Sequence, residues 1–390
     1  MLENNTNRIY LDNASTTQID KRVLDEMMPY LTESYGNASS LHYLGTSAKQ
    51  AINKARHTIS KYINAKPEEI VFTSSGTEAN NMALKGIAFA NRAKGNHIIV
   101  SSIEHDCVLN TCRWLETQGF FVTYLPVDKM GFIDLDSLDK CINKKTILVS
   151  VMHANNEIGT INPIEKIGLI CKEKNVYFHT DACQSFGKIP IDVIKDNIDL
   201  LTINSHKIYG PKGAAALFIK DKTTIQPILH GGGQENNMRS STENIPAIVG
   251  FAKAAEISFI DFDNETNHLI QLRNKVIKRL GEEVEGIYFN GDLLQRLPNN
   301  INFCISGLEG EGIRLLLLMD EEGIALSAGS ACSNNSGGNP SHVLQAIGLN
   351  QFEARGSVRI SFGRFNTNEE IDLFLNILIN NIKKLNSIFS

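Results

Sequence analysis

Three short stretches carry residues whose types suit chemistry. In "TINSHKIYGPKG" (202–213), Lys207 closes an apolar run and is followed by a Pro-Lys-Gly turn. A lysine there is either a surface cation or a chemically active amine. In "VYFHTDACQS" Asp181 ends a second apolar run. A carboxylate at the end of a buried strand costs free energy unless it meets a partner, so it caps the next helix or pairs with a ligand cation. In "IVFTSSGTEANN" (70–81) a strand passes through a tight turn at Gly76 into a helix. Glycine lets the backbone approach a ligand, and a helix start offers free N–H groups and the positive end of a dipole. With the hydroxyl of Thr77 the turn could hold a phosphate; the plainer reading makes Thr77 an ordinary N-cap.

The elements around these residues decide how they meet. The runs "EIVFTSS", "HIIVSS", "FFVTYLPV", "TILVSVMH", "VYFHTDA", "DLLTINS" and "AALFIK" read as buried strands. Helical stretches such as "TEANNMALKGIAFANRAKG" and "PIEKIGLICKEKN" lie between several of them. Such alternation predicts an α/β fold whose mostly parallel sheet is covered by helices, with ligands at the carboxyl ends of the strands. Lys207, Asp181 and the Gly76–Thr77 turn all sit at strand ends, so they are expected to face one crevice. Together they offer an amine for an aldehyde, an acid for a pyridinium nitrogen and a cradle for a phosphate. Those are the needs of pyridoxal phosphate.

Further residues follow the same logic. His105, after "HIIVSS", could stack on a cofactor ring and move protons, having a pKa near neutrality; a hydrogen-bonded core histidine is the alternative. Asn156 and Gln184 follow two other strands, where their amides could reach the cofactor's phenolic oxygen. Cys332 stands in "ALSAGSACSNNSGGNPSHVL" (325–344), a Ser/Gly/Asn-rich run that reads as a mobile loop. A thiol in such a loop is a liability or a nucleophile, whereas Cys107, Cys112, Cys171, Cys183 and Cys304 are read as packing residues. In "SVRISF" the alternation puts Arg359 on the face away from Val358, Ile360 and Phe362, where it is a surface arginine or a bidentate clamp for a substrate carboxylate.

The style of the sequence changes near residue 262. An amphipathic helix there carries Leu269, Leu272, Val276, Ile277 and Leu280 on one face. "NINFCIS" and "SVRISF" then alternate as strands covered on one side, and a final helix opens with a capping box from Thr367 to Glu370. The expected division is a large domain over 16–261 and a smaller α+β domain built from 1–15 and 262–390. The 390 residues are 42% hydrophobic and 21% charged, with a net charge of −5; nucleic acid is therefore disfavoured as the main partner. No apolar run is long enough to span a bilayer. Seven cysteines without a CxxC pair argue against a zinc site or a disulfide framework. No resident metal is expected, and with no signal peptide in view the expected location is cytoplasmic.

The motifs "IYLDNASTT", "MHANNEIGT", "HTDACQS", "SHKIYGPKG", "LHGGGQE…MRSSTEN", "SAGSACS…PSHVLQAIG" and "VRISFGRFNT" resemble the cysteine desulfurases, the NifS/IscS-like members of the class V aminotransferase family. The resemblance covers nearly the whole chain, and the long segment around Cys332 resembles group I. It implies a PLP-dependent transferase fold of type I with a seven-stranded sheet. It makes Lys207 the lysine bound to the cofactor aldehyde, Asp181 the pyridinium partner and His105 the stacking residue, with Asn156 and Gln184 near the ring oxygen. Gly76, Thr77, Ser205 and His206 fall at phosphate-binding positions. Thr242 would reach the phosphate of a neighbouring subunit, which implies a homodimer. Arg359 would hold the carboxylate of L-cysteine, with Asn37 near the entrance and Asn156 also close to substrate. Cys332 would take the sulfur as a persulfide, contacting iron or sulfur transiently on its way to an iron–sulfur scaffold protein of the IscU/NifU kind or another acceptor. Three departures stand out: Asn204 where a phosphate-binding serine is common, one extra residue between Cys332 and Pro340, and Asn13, Ser15 and Gln18 in the first motif. A selenocysteine lyase, a cysteine sulfinate lyase and a catalytically idle partner in cluster assembly are the competing readings.

Overall fold

The computed structural model describes residues 8–328 and 340–389. A short N-terminal strand, β1 (Ile9–Tyr10), precedes seven strands that form one sheet: β2 (Ile70–Thr73), β3 (His97–Ser101), β4 (Phe121–Leu125), β5 (Thr146–Ser150), β6 (Tyr177–Asp181), β7 (Leu200–Asn204) and β8 (Ala215–Ile219). These are the seven apolar runs picked out above. Their order is β2-β8-β7-β6-β5-β3-β4. The pairs from β7 across to β4 are parallel, whereas β8 runs antiparallel to both β7 and β2.

The two-residue period of the strands divides the core between the two faces of this sheet. On one face lie Ile70 and Phe72 of β2 with Ala216 and Phe218 of β8. Val71 and Leu217 point to the other, against Ala79, Met82, Ala83 and Leu84 of the helix Gly76–Ala90. With both faces covered, the strands are apolar throughout rather than alternating.

The remaining strands are β9 (Ile287–Phe289), β10 (Asn300–Ile305), β11 (Ile324–Ala325), β12 (Ser327–Ala328) and β13 (Val358–Ser361). Four of them form an antiparallel sheet in the order β12-β13-β10-β9, and β11 pairs in parallel with β1. Their apolar side chains meet Leu269, Leu272, Val276 and Leu280 of the helix Phe262–Glu283 and Phe374, Leu375 and Leu378 of the last helix, Asn368–Phe389. That last helix starts as expected: the Thr367 N–H donates to Glu370 Oε2 and the Glu370 N–H to Thr367 Oγ1.

One expectation about this sheet is corrected. All residues of β10 and β13 are buried, so neither strand is covered on one side only. The polar face is closed by the 156–160 segment and by residues 12–15. Asn300 Nδ2 donates to the Asn156 carbonyl at 3.2 Å, and Asn13 Nδ2 to that of Ser361 at 2.9 Å. The polar half of the alternation faces other polar groups rather than solvent.

Candidate active site

At the carboxyl ends of the parallel strands lies a cavity of about 200 Å³ lined by Gly76, Thr77, Asn80, His105, Asn156, Asp181, Gln184, Asn204, His206 and Lys207, among others. Lys207 is the only Lys or Arg among its described lining residues and Asp181 the only carboxylate. One amine and one acid thus face each other in a polar wall.

Each is placed by its element. Asp181 is the last residue of β6. Its Oδ1 accepts the N–H of Cys183 at 2.9 Å, and its Oδ2 accepts from Asn80 Nδ2 at 2.6 Å. It therefore caps the following turn and still lines the cavity. Asn80 is one helical turn beyond Gly76, so the helix that opens the cavity also orients its acid. Nearby, burial pushes the Glu104 carboxyl well above the usual carboxylate range, its Oε1 accepting the Met152 N–H.

The helix start at Gly76 is capped by Ser75, not Thr77: Ser75 Oγ accepts the Glu78 N–H at 3.1 Å. No described hydrogen bond uses the N–H groups of Gly76 and Thr77 at this end, where the helix dipole is positive. A Cβ added at Gly76 would come within 2.7 Å of Cys183 Sγ, so a larger residue would fill this corner. Asn204 takes a place on the wall beside it. Ser205 is fully buried and not among the described lining residues, and its Oγ is left without a described partner.

His105 is the N-cap of the helix Asp106–Thr117, with Nδ1 accepting the Cys107 N–H at 3.1 Å. The cap fixes the ring at the cavity wall. Burial, and next the Lys207 charge, lower its pKa from the ordinary histidine value. His206 is lowered further, to about 4, by burial and then by Lys207. Gln184 donates from Nε2 to the Ala14 carbonyl at 2.9 Å while its Oε1 is buried without a described partner.

Arg359 is no surface arginine. It is 3% exposed, and its guanidinium donates to the Asn156 carbonyl, Asp12 Oδ1, Ser15 Oγ and Ser327 Oγ at 2.8–3.1 Å. Its Nε is buried without a described partner. Asn37 and Thr242 are exposed and outside the cavity wall of their own chain; Asn37 Oδ1 accepts the Ser39 N–H. Cys332 lies outside the described residues. Sequence reading missed Asn80, Ser15 and Cys183 on the wall. Asn80 was detectable, four residues after Gly76 on the same helix face, whereas Ser15 and Cys183 arrive only through tertiary folding. Burial holds the Cys183 thiol well above its usual range and pushes that of Cys107 to about 12, which fits their reading as inert packing residues.

Pyridoxal phosphate fits this wall on its own evidence. The Gly76 corner with its free helix N–H groups suits a phosphate, and the buried, partnerless Oδ1 atoms of Asn80 and Asn204 and Oε1 of Gln184 call for polar partners. Comparison with known proteins agrees. The sequence profile of the family Aminotransferase class-V matches residues 9–374. A cysteine desulfurase IscS of Dictyoglomus turgidum is 50% identical over 97% of this chain and 96% of its own length. One from Methanosarcina thermophila is 50% identical over 97% of this chain and 92% of its own. Among solved structures, a NifS-like protein superposes with a TM-score of 0.91 at 38% identity, covering 97% of this chain and all (100%) of the other. A structure described as SspA in complex with cysteine gives 0.82 at 39% identity over 92% of this chain and 100% of that one. By fold, by site and by these likenesses, the chain belongs to the class-V aminotransferase family and is pyridoxal phosphate-dependent.

Proposed function

We propose that this protein is a cysteine desulfurase that takes sulfur from L-cysteine, releases L-alanine and holds the sulfur as a persulfide on Cys332. The observation that carries the reading is the cavity in which Lys207 and Asp181 are the sole amine and carboxylate among the described lining residues, beside a helix N-terminus whose first N–H groups have no described partner. Bound there, pyridoxal phosphate supplies an electron sink that labilises bonds at the Cα and Cβ of an amino acid.

The chain's own residues do the rest. Asp181, oriented by Asn80, would pair with the ring nitrogen and keep its proton there. The N–H groups of Gly76 and Thr77, with Asn204 and His206 nearby, would hold the phosphate. His105, its pKa lowered by burial and then by the Lys207 charge, would stack on the ring, and Gln184 and Asn156 would serve its oxygen. Lys207 would hold the cofactor through its aldehyde, and its Nζ would serve as the base that takes the proton from the substrate Cα. Arg359 offers its guanidinium to the substrate carboxylate, already held in place by Asp12 and Ser15. The Cys332 thiolate attacks the substrate sulfur, the Cβ–S bond breaks, and the electron pair of that bond remains with the alanine product. Both flanks of the Cys332 segment are tied to the cavity's surroundings: Ser327 Oγ accepts from Arg359, and His342 Nε2 donates to the Glu104 carbonyl at 2.9 Å.

The same reading includes a homodimer in which Thr242 serves the neighbouring site, and Asn37 near the entrance. It includes a cytoplasmic location, and an iron–sulfur scaffold or another acceptor for the sulfur. It also keeps the division into 16–261 and 1–15 with 262–390, supported by the core that Ile9 and Leu11 share with residues beyond 262. No helix of the described residues is long and apolar enough to cross a membrane.

A single turnover with L-cysteine, followed by alkylation and peptide mass mapping, tests the proposal. The Cys332 peptide is expected to gain one sulfur atom. An unmodified Cys332 after alanine has formed would instead favour a lyase that expels sulfur or selenium directly.

A further inference from the structure

The main chain on either side of Lys207 is held with unusual completeness. The His206 carbonyl accepts from the N–H and Oγ1–H of Thr17 at 2.9 and 3.0 Å, and Thr17 Oγ1 accepts the Tyr209 N–H at 2.8 Å. Tyr209 has φ 66, a left-handed backbone rare outside glycine. It is held there by the Asp20 N–H on its carbonyl, by its own hydroxyl accepting from the Arg364 N–H, and by the Arg364 guanidinium 4.0 Å above its ring.

The remaining link comes from Lys188, in the turn after β6. Its side chain is 5% exposed, and Nζ donates to the Gln184 carbonyl at 3.0 Å and the Lys207 carbonyl at 3.2 Å. No carboxylate of the described residues forms an ion pair with it; the nearby Glu265 and Asp20 are engaged by Arg364. Resting on the reading of Lys207 as the reactive lysine, we infer that Lys188 is a positioning residue. Its buried amine bridges the main-chain oxygens of Lys207 and Gln184 and fixes the cofactor lysine relative to the residue facing the cofactor's ring oxygen.

The chemistry of the amine supports this. Burial, and then the Lys207 charge, bring its pKa down to about 7, with Glu265 and Cys183 opposing and Arg364 reinforcing the shift. A neutral amine has two N–H donors, which match the two carbonyls. The ammonium form has a third donor for which this pocket offers no described acceptor, and an unsatisfied buried donor is costly. A lysine kept only for packing would not need its terminal nitrogen between two carbonyls. An aliphatic side chain would leave both oxygens buried and short of a donor.

The test uses Lys188→Met and Lys188→Gln beside the wild type. The rate at which cofactor-free protein takes up pyridoxal phosphate is followed by absorbance, together with kcat and KM for L-cysteine between pH 6 and 9. Lys188→Met is expected to slow uptake and kcat about tenfold while KM stays within about twofold, because misplacement of a reacting group costs rate more than binding. The wild-type kcat should rise through an inflection near pH 7 that neither variant shows. Lys188→Gln, whose amide also has two N–H donors, should recover part of the uptake rate. Wild-type uptake and kcat in Lys188→Met would overturn the inference, and so would a loss equal in both variants that merely tracks the folded fraction. If Lys188→Met does not fold, Lys188→Gln decides: the wild-type pH profile overturns the inference, and loss of the inflection with slowed uptake supports it. Borohydride reduction of the wild type, mapped by peptide mass, keeps the two claims apart. Cofactor found on a lysine other than Lys207 would remove the reading on which the inference rests.

Discussion

At the scale of single residues, the site is a set of polar groups each given one task by a neighbour. Asp181 illustrates it. A lone carboxylate at a strand end would be costly, yet here one oxygen takes a backbone N–H and the other the Asn80 amide at 2.6 Å. Hydrogen bonds to charged groups contribute about 1.5–3 kcal/mol. Asn80→Ala is therefore expected to weaken pyridoxal phosphate binding by about tenfold or more, read from an equilibrium absorbance titration of cofactor-free protein. Unchanged affinity would mean that Asp181 needs no orienting partner. Lys207, Asp181, His105 and Gly76 could all be found from sequence because each follows a recognisable apolar run. The role of Asn80 is visible only once the helix is known to begin at Gly76. That Asn204 and His206 line the cavity while Ser205 between them does not was not legible, since adjacent residues in a turn point to different sides and sequence alone does not say which side holds the cavity.

At the scale of elements, the buried polar groups of the central strands set the response to acid. His179 in β6 is fully buried, bonded to Ser150 Oγ at 2.8 Å and Thr202 Oγ1 at 3.1 Å, and burial lowers its pKa from 6.5 to about 4. His153, just after β5, is lowered to about 3 for the same reason. The unfolded chain takes up these protons near pH 6.5 and the folded one only at lower pH, so the unfolded state binds more protons in between. Stability is thus complete above about 6.5 and is lost as pH falls toward 4. His179 alone accounts for about 3 kcal/mol, at about 1.4 kcal/mol per pH unit. His179→Gln should flatten the fall of melting temperature between pH 6.5 and 4.5, measured by calorimetry; an unchanged slope would assign the acid response elsewhere. The seven strands themselves were legible because strands covered on both faces read as continuous apolar runs. The direction of β8 was not, since an antiparallel strand covered on both faces has the same composition as a parallel one. The burial of β10 and β13 escaped for a related reason. Their polar residues are covered by other polar segments, and an alternating pattern cannot distinguish that cover from water.

At the scale of the molecule, Lys207, the proposed reactive lysine, sits where distant parts of the chain converge. Residues 12–20 pass beneath it, and Asp12 and Ser15 hold Arg359. Asp20 meets Arg364, which also pairs with Glu265 at 2.7 Å and stacks on Tyr209. Breaking such a buried pair from one side typically costs about 3–5 kcal/mol, so the loop around Lys207 is tied to the relative placement of the two sheets. These long-range ties were not legible in the sequence, because they join residues from about a hundred to more than three hundred positions apart through atoms that carry no periodic signal. On the proposed function they have a chemical purpose: to hold Lys207 rigidly for the cofactor and to bring Arg359 from the opposite sheet for the substrate carboxylate. The most direct test of that purpose is steady-state turnover of L-cysteine with a reductant, assaying alanine and sulfide together, for the wild type and Cys332→Ala. The account predicts equal alanine and sulfide in the wild type and loss of both in the variant, with its cofactor absorbance intact. Undiminished turnover in Cys332→Ala would contradict it.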